Sequence, residues 1–158
     1  MQRIVNLLVV KDGKVLLLKK PRRNWYVAPG GKTDFGESVY EAGIREFTEE
    51  TATVPVQPHM KGLYTMVIKR GEEVLSEWLL STLVAYDIEG TPLKENHEGI
   101  LEWQPIEALQ TLPMAEGDRM NLLFAVHQPG IQYGTFIYTE EFELLEHRLQ
   151  TSQEVNPT

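Results

Sequence analysis

The sequence predicts an α+β sandwich in one domain. Three observations predict it. Apolar runs rich in β-formers fill both halves of the chain. One strongly capped helix, near residues 38–51, stands between them, and a second helical stretch comes late, near 116–127. A chain of 158 residues suits one domain with a sizeable core. That domain is expected to span residues 1–150. Residues 151–158, rich in Ser, Gln, Asn and Pro, read as a flexible tail.

Taken in order, residues 3–10 and 14–19 are two apolar strands joined through Asp12-Gly13, a hairpin turn signal. Trp25 to Ala28 is a short strand or extended lead into a Pro-Gly-Gly loop. After the capped helix, Val54-Pro55 and Pro58 punctuate a loop. Residues 61–69 and 74–86 form a long hairpin split at Arg70-Gly71, and Glu89-Gly90 is a turn. Ile100 to Trp103 is a short strand, and Pro105 suits the first turn of a helix through about Leu109. Pro129-Gly130 ends the second main helix. Residues 132–139 and 142–149 read as a closing hairpin, although the second could be a helix.

Composition excludes several functions. There is no cysteine, hence no disulfide, no thiolate metal site and no cysteine nucleophile. The apolar run Ile4 to Val10 is too short to span a membrane and has no cleavage signal after it, so a cytoplasmic protein is expected. A net charge of −8 argues against binding DNA or RNA polymers. It does not argue against a small anionic ligand, because bound metal ions can invert a local field. One basic cluster, Lys19-Lys20-Pro21-Arg22-Arg23 with Lys32 behind it, is either a solvated loop or a rim that attracts polyphosphate.

The chemistry concentrates in Pro29 to Thr53. Ser38 and Glu41 have the spacing of a capping box, which fixes the start of the helix. Projected at about 100° per residue, Tyr40, Gly43, Ile44, Phe47 and Thr51 share a face expected to pack on the sheet. Ala42, Arg45, Glu46, Glu49 and Glu50 fall on the opposite, exposed face. Like charges at this spacing cost a helix about 0.2–0.5 kcal/mol per pair. A solvated acidic face would tolerate that cost. A hard divalent cation held through oxygens would offset it, and the preceding glycine loop favours the metal reading.

These residues resemble the Nudix box, G-x5-E-x7-R-E-U-x-E-E-x-G-U, where U is a bulky apolar residue. Gly31, Glu37, Arg45, Glu46, Phe47, Glu49 and Glu50 match in register. Ala52 stands where the pattern has Gly, and Thr53 where it has an aliphatic residue. The Gly normally ends the helix in a left-handed turn, which Ala adopts at some cost.

The resemblance implies the Nudix fold, a mixed β-sheet sandwiched between helices, and a Mg²⁺-dependent hydrolase, with Mn²⁺ as the alternative metal. Its substrate would be a small nucleotide carrying a phosphoanhydride. By position, Glu49 and Glu50 bind metal, Glu46 binds metal or acts as general base, and the Gly31 carbonyl is a further candidate ligand. Arg45 pairs with Glu37 or Glu46 and orients it. Glu37 could equally be a plain acid near a helix N-terminus. Glu98, from a later loop, is the candidate further ligand or base, with Glu95 as competitor. His97 reads as a loop histidine.

The similarity extends more weakly to MutT-type diphosphatases of oxidised purine nucleotides, through Leu112 to Asp118 and Tyr133 to Leu149. It implies that Asp118 reads the purine edge. Those enzymes have an Asn where Val27 stands here. The W-[WY]-V-A-P-G-G-K stretch is nearer to Bacillus-type Nudix hydrolases, some of which act on guanosine tetra- and pentaphosphate alarmones. A base could stack on Trp25, Tyr26 or Trp78, unless these are core aromatics. Arg22, Arg23 and Lys32 are the candidate phosphate contacts. The function expected is cleavage of a guanine nucleoside polyphosphate such as 8-oxo-dGTP, dGTP or GTP. An alarmone hydrolase and a non-catalytic nucleotide sensor are the alternatives. Monomer and homodimer are both left open.

Overall fold

A computed structural model describes residues 1–152. Its strands are β1 (Gln2–Lys11), β2 (Lys14–Lys19), β3 (Tyr26–Val27), β4 (Gly30–Lys32), β5 (Val54–Pro55), β6 (His59–Arg70) and β7 (Glu73–Ala85). They continue with β8 (Ile88–Glu89), β9 (Glu95–Asn96), β10 (Gly99–Pro105), β11 (Ile131–Tyr138) and β12 (Leu144–Ser152). The helices are α1 (Val39–Thr51) and α2 (Glu116–His127), with a 3₁₀ turn at Ile106–Gln110.

One mixed sheet runs in the order β12-β11-β6-β7-β1-β2-β10-β9. β1 pairs parallel with β7, and β11 parallel with β6, while the hairpins are antiparallel. β1 alternates along its length. Val5, Leu7 and Val9 face α1 and pack with Ala42, Phe47 and Leu83. Leu8 faces the other way and packs with Leu109, Leu122 and Ala125 beside α2. The sheet therefore lies between the helices, as the sequence predicts.

The backbone departs from the sequence reading in instructive places. The Pro-Gly-Gly stretch is not only a loop. After Val10 and Lys11, β2 parts from β1, and β4 takes its place along the first half of β1, pairing Asn6 with Gly30 and Val5 with Gly31. A Cβ on Gly30 would collide with the Val5 carbonyl oxygen and the Asn6 Cα, so only glycine allows this approach. The Val54-Pro55 loop is a short strand paired with Ile88-Glu89. The last segment is a strand and not a helix, and it runs through Thr151 and Ser152, beyond the expected start of the tail. The remainder of that predicted tail lies outside the described residues.

The helical projection of α1 also needs correction. Ala42 is fully buried, while Tyr40 is 48% exposed. Glu50, placed by projection on the exposed face, is buried. The helix leans on β4 as well as β1, so its covered arc is turned toward Ala42 and Glu50. Phe47 is fully buried between α1 and the sheet. Phe47→Ala should cost about 3–5 kcal/mol of stability in urea unfolding. A loss below about 1 kcal/mol would contradict the packing described.

Candidate active site

α1 is fixed at both ends. The Ser38 hydroxyl accepts from the Glu41 amide at 3.1 Å, and the Glu41 carboxylate accepts from the Ser38 amide at 2.9 Å. At the far end Ala52 adopts the left-handed conformation, φ 60°, and its N–H reaches the Thr48 carbonyl at 2.8 Å. The departure from glycine at this position therefore leaves the C-terminal turn in place.

Arg45 gathers the acids. Its Nε and one terminal nitrogen donate to the two oxygens of Glu37 at 2.7 and 2.9 Å. The other terminal nitrogen donates to Glu46 at 3.0 Å and reaches Glu49 at 3.4 Å. A further bond to the Lys32 carbonyl, 3.1 Å, ties the helix to β4. The Arg45 guanidinium holds the Glu37 carboxyl down to about 2, helped by the Asp34 amide. Glu37 is thus an orienting partner of Arg45, beyond any interaction with the helix dipole.

Glu50 sits differently. It accepts the Gly30 amide at 3.1 Å. Burial, followed by the neighbouring Glu98 carboxylate, pushes it up to about 8. Burial would raise Glu98 too, but the hydrogen bond with Glu50 and the Lys20 ammonium 3.2 Å away outweigh it and hold Glu98 below its ordinary value. Asn96 positions this loop: its amide donates to the Glu50 carbonyl at 2.9 Å and its oxygen accepts the Glu98 amide at 2.8 Å. Glu95 and His97 are exposed.

The donors are of the kind a hard divalent cation takes, all oxygen: Glu46, Glu49, Glu50, Glu98 and the Gly31 carbonyl. A Cβ on Gly31 would lie 2.5 Å from the Glu46 carboxyl carbon, so the absent side chain leaves that carboxylate against the backbone. Among the described residues no three acidic or imidazole side chains stand close enough to hold an ion as they lie. Glu46 and Glu49 are turned onto Arg45, and Glu50 onto Gly30 and Glu98.

A cavity of about 230 Å³ opens beside Gly30 and Gly31 on the α2 side of the sheet. Lys20 and Val27 line it near the glycines; Met66, Trp78, Leu80, Tyr138 and Asp118 line the rest. Burial pushes the Asp118 carboxyl up to about 6. Of the predicted substrate residues, Asp118 is therefore on the cavity and Trp78 with it.

The others are placed elsewhere. Tyr26 is a core residue, 6% exposed, packed with Leu8 and Leu17, and its hydroxyl meets Glu102 at 2.9 Å. Its side chain is thereby unavailable for base stacking. Trp25 does not line the cavity; it meets Phe142 edge-on at 6.2 Å between ring centres and carries the Arg23 guanidinium at 5.1 Å. Arg23 also lies 5.7 Å from the ring of Phe142, which does line the cavity. Arg22 and Lys32 are exposed and off the cavity lining. The member of the basic cluster that reaches it is Lys20, which the sequence reading did not single out. Nor did it single out Asn6, Tyr138 or Phe142, which come from strands and a loop far apart in sequence and join only through sheet pairing.

Glu50→Gln should lower turnover by orders of magnitude while the protein stays folded. In the metal-free protein the raised Glu50 contributes stability that is complete below the ordinary 4.5 and is lost as pH rises through about 8. Glutamine cannot titrate, so urea midpoints measured in EDTA should fall less between about pH 5 and pH 8 in the variant than in the parent. Identical pH slopes would contradict the buried Glu50–Glu98 pair.

Residues 1–123 match the NUDIX domain family. A relative in Bacillus subtilis, the uncharacterized Nudix hydrolase YvcI, is 48% identical over 149 residues, 94% of each chain. The crystal structure of a MutT mutator protein from Bacillus halodurans superposes with a TM-score of 0.92 at 46% identity, covering 94% of this chain and 97% of that one. An ADP-ribose pyrophosphatase from Methanocaldococcus jannaschii is 38% identical over 61 residues, 37% of this chain and 36% of that protein. No helix among the described residues is long and apolar enough to cross a membrane. With the acid helix, the Gly30-Gly31 strand and this breadth of similarity together, the chain belongs to the Nudix hydrolase family.

Proposed function

We propose that this protein is a Mg²⁺-dependent cytoplasmic hydrolase of guanine nucleoside polyphosphates such as 8-oxo-dGTP, dGTP or GTP. One observation carries the reading: a single cavity has Gly30, Gly31 and Lys20 among its lining and Asp118 and Trp78 among the same lining. The first group lies beside the carboxylates of α1; the second can take a base. A carboxylate accepts from a guanine's N1–H and exocyclic amine, and an indole face stacks on a purine.

Cleavage of a phosphoanhydride needs charge neutralisation, an in-line water and little covalent work from the protein. The divalent cation, when bound, supplies the neutralisation and acidifies water. Glu49 and Glu50 would hold it, with Glu46, Glu98 and the Gly31 carbonyl completing the donors. Glu46 or Glu98 would take the proton from water. Arg45 orients Glu46, and Lys20 faces the phosphates. Mn²⁺, with the same preference for oxygen donors, is the alternative metal.

A second reading, hydrolysis of guanosine tetra- or pentaphosphate alarmones, is favoured by the basic side. Lys20 lines the cavity, Arg23 sits over Phe142 at its edge, and Arg22 and Lys32 are exposed. The nucleotide-sensor reading is disfavoured, because a pure binder has no use for a crowded acid helix that Arg45 must hold together.

The test is a turnover panel with Mg²⁺, products separated by ion exchange: GTP, dGTP, 8-oxo-dGTP, ATP, ppGpp, ADP-ribose and a dinucleoside polyphosphate. Guanine substrates should be cleaved fastest, and the release of pyrophosphate or phosphate identifies the bond. Preferred cleavage of ppGpp would select the alarmone reading. Equal rates on ATP, or faster cleavage of ADP-ribose, would contradict the guanine assignment. No turnover of any would leave the sensor.

A further inference from the structure

Asn6 has an unexplained environment. It lies in the middle of β1, flanked by Gly30 of β4 and, in register on β7, by Thr82. A Cβ on Gly30 would come within 2.6 Å of the Asn6 Cα and 2.9 Å of its Cβ, so β4 presses directly on this residue. Alternation along β1 puts Asn6 on the same face as Leu8, the α2 side, where it lines the cavity. Its carboxamide oxygen is buried and accepts no hydrogen bond from the described residues. Nearby groups do not remedy this. The Thr82 hydroxyl accepts from the Asn121 amide at 2.7 Å and does not reach the Asn6 oxygen, and the Asn121 oxygen is itself without a partner among the described residues. Asp118, one turn before Asn121 on α2, lines the same cavity.

Most of the surrounding lining is apolar: Ile4, Met66, Trp78, Leu80, Tyr138 and Phe142. An amide placed there without a donor is costly, and such a group calls for an explanation. A ligand with N–H donors supplies one. Asn6 and Asp118 together offer two acceptors, which matches the two neighbouring donors of guanine, N1–H and the exocyclic amine. Adenine has no N1–H, and hypoxanthine has no exocyclic amine.

We propose that Asn6 is a base-specificity residue whose side-chain oxygen accepts the exocyclic amine of a guanine, beside an Asp118 that accepts N1–H. This rests on the cavity being the nucleotide site, but it does not require turnover. It assigns part of the guanine preference to a residue of the first strand, where the sequence carries no nucleotide-binding motif.

The test is calorimetric binding of GMP, IMP and AMP, with Mg²⁺ present, to the parent protein and to Asn6→Leu. Leucine is close in size and removes both polar groups. The parent should bind GMP about tenfold or more tighter than IMP, the scale of one hydrogen bond. In Asn6→Leu, GMP should weaken to the IMP level while IMP is unchanged. The melting temperature should not fall, because an unpaired buried amide has been replaced by an apolar group. Equal weakening of GMP and IMP, or a parent that binds the two alike, would overturn the proposal. So would an Asn6→Leu protein that keeps the GMP preference. If the variant melts lower, Asn6→Ala supplies the same comparison, because it too removes the acceptor. A parent that prefers GMP yet cleaves no polyphosphate would sink the hydrolase reading and leave this one standing.

Discussion

The fork of Arg45 is the contact on which the rest of this site depends. Two carboxylates of α1, Glu46 and Glu49, and two from the preceding loop, Glu37 and Asp34, lie within its reach, and without a cation they would repel one another. Arg45 neutralises part of that charge. Its two bonds to Glu37 also fasten the loop before the helix, and its bond to the Lys32 carbonyl fastens β4. Lysine, a point charge with no planar fork, could not make these contacts together. The guanidinium therefore does structural work that the chemistry requires: it keeps an acid cluster compact beside a strand that only glycine can form.

That strand joins the two faces of the molecule. β2 leaves β1 after a short pairing, and Gly30-Gly31 fill the gap. On the α1 side the glycine backbone meets Glu46 and Glu50. On the α2 side the same glycines line the cavity that holds Asp118, Trp78 and Asn6. The sheet carries hydrophobic cores on both faces, which keeps this edge rigid. Asn96 plays the matching part for Glu98, holding its loop against the end of α1.

Much of this was legible in the sequence, for physical reasons. The capping box, the helix spacing of the acids and the long hairpin turn are local signals, and each appears where expected. The two main helices also fall where periodicity and punctuation place them. What escaped was non-local. Glycines read as a loop because their propensity is for turns, yet β4 is dictated by its approach to Val5 and Asn6. Glu50 read as exposed because projection knows only the helix axis, not the strand leaning on it. Tyr26 could be read as a core aromatic or as a stacking platform, and only its burial and the bond from its hydroxyl to Glu102, far along the chain, show which. Lys20 was one of several basic residues, and only sheet pairing shows which one reaches the cavity.

The central proposal is that the carboxylates on the α1 side and the cavity on the α2 side serve one nucleotide across the Gly30-Gly31 strand. A crystal grown with Mn²⁺ and a non-hydrolysable guanosine triphosphate tests it most directly, because the metal is located by its own anomalous signal. The account predicts manganese among Glu46, Glu49, Glu50 and the Gly31 carbonyl, with the guanine on the α2 side against Trp78 and Asp118. Manganese bound away from α1, or a base lying outside that cavity, would contradict it.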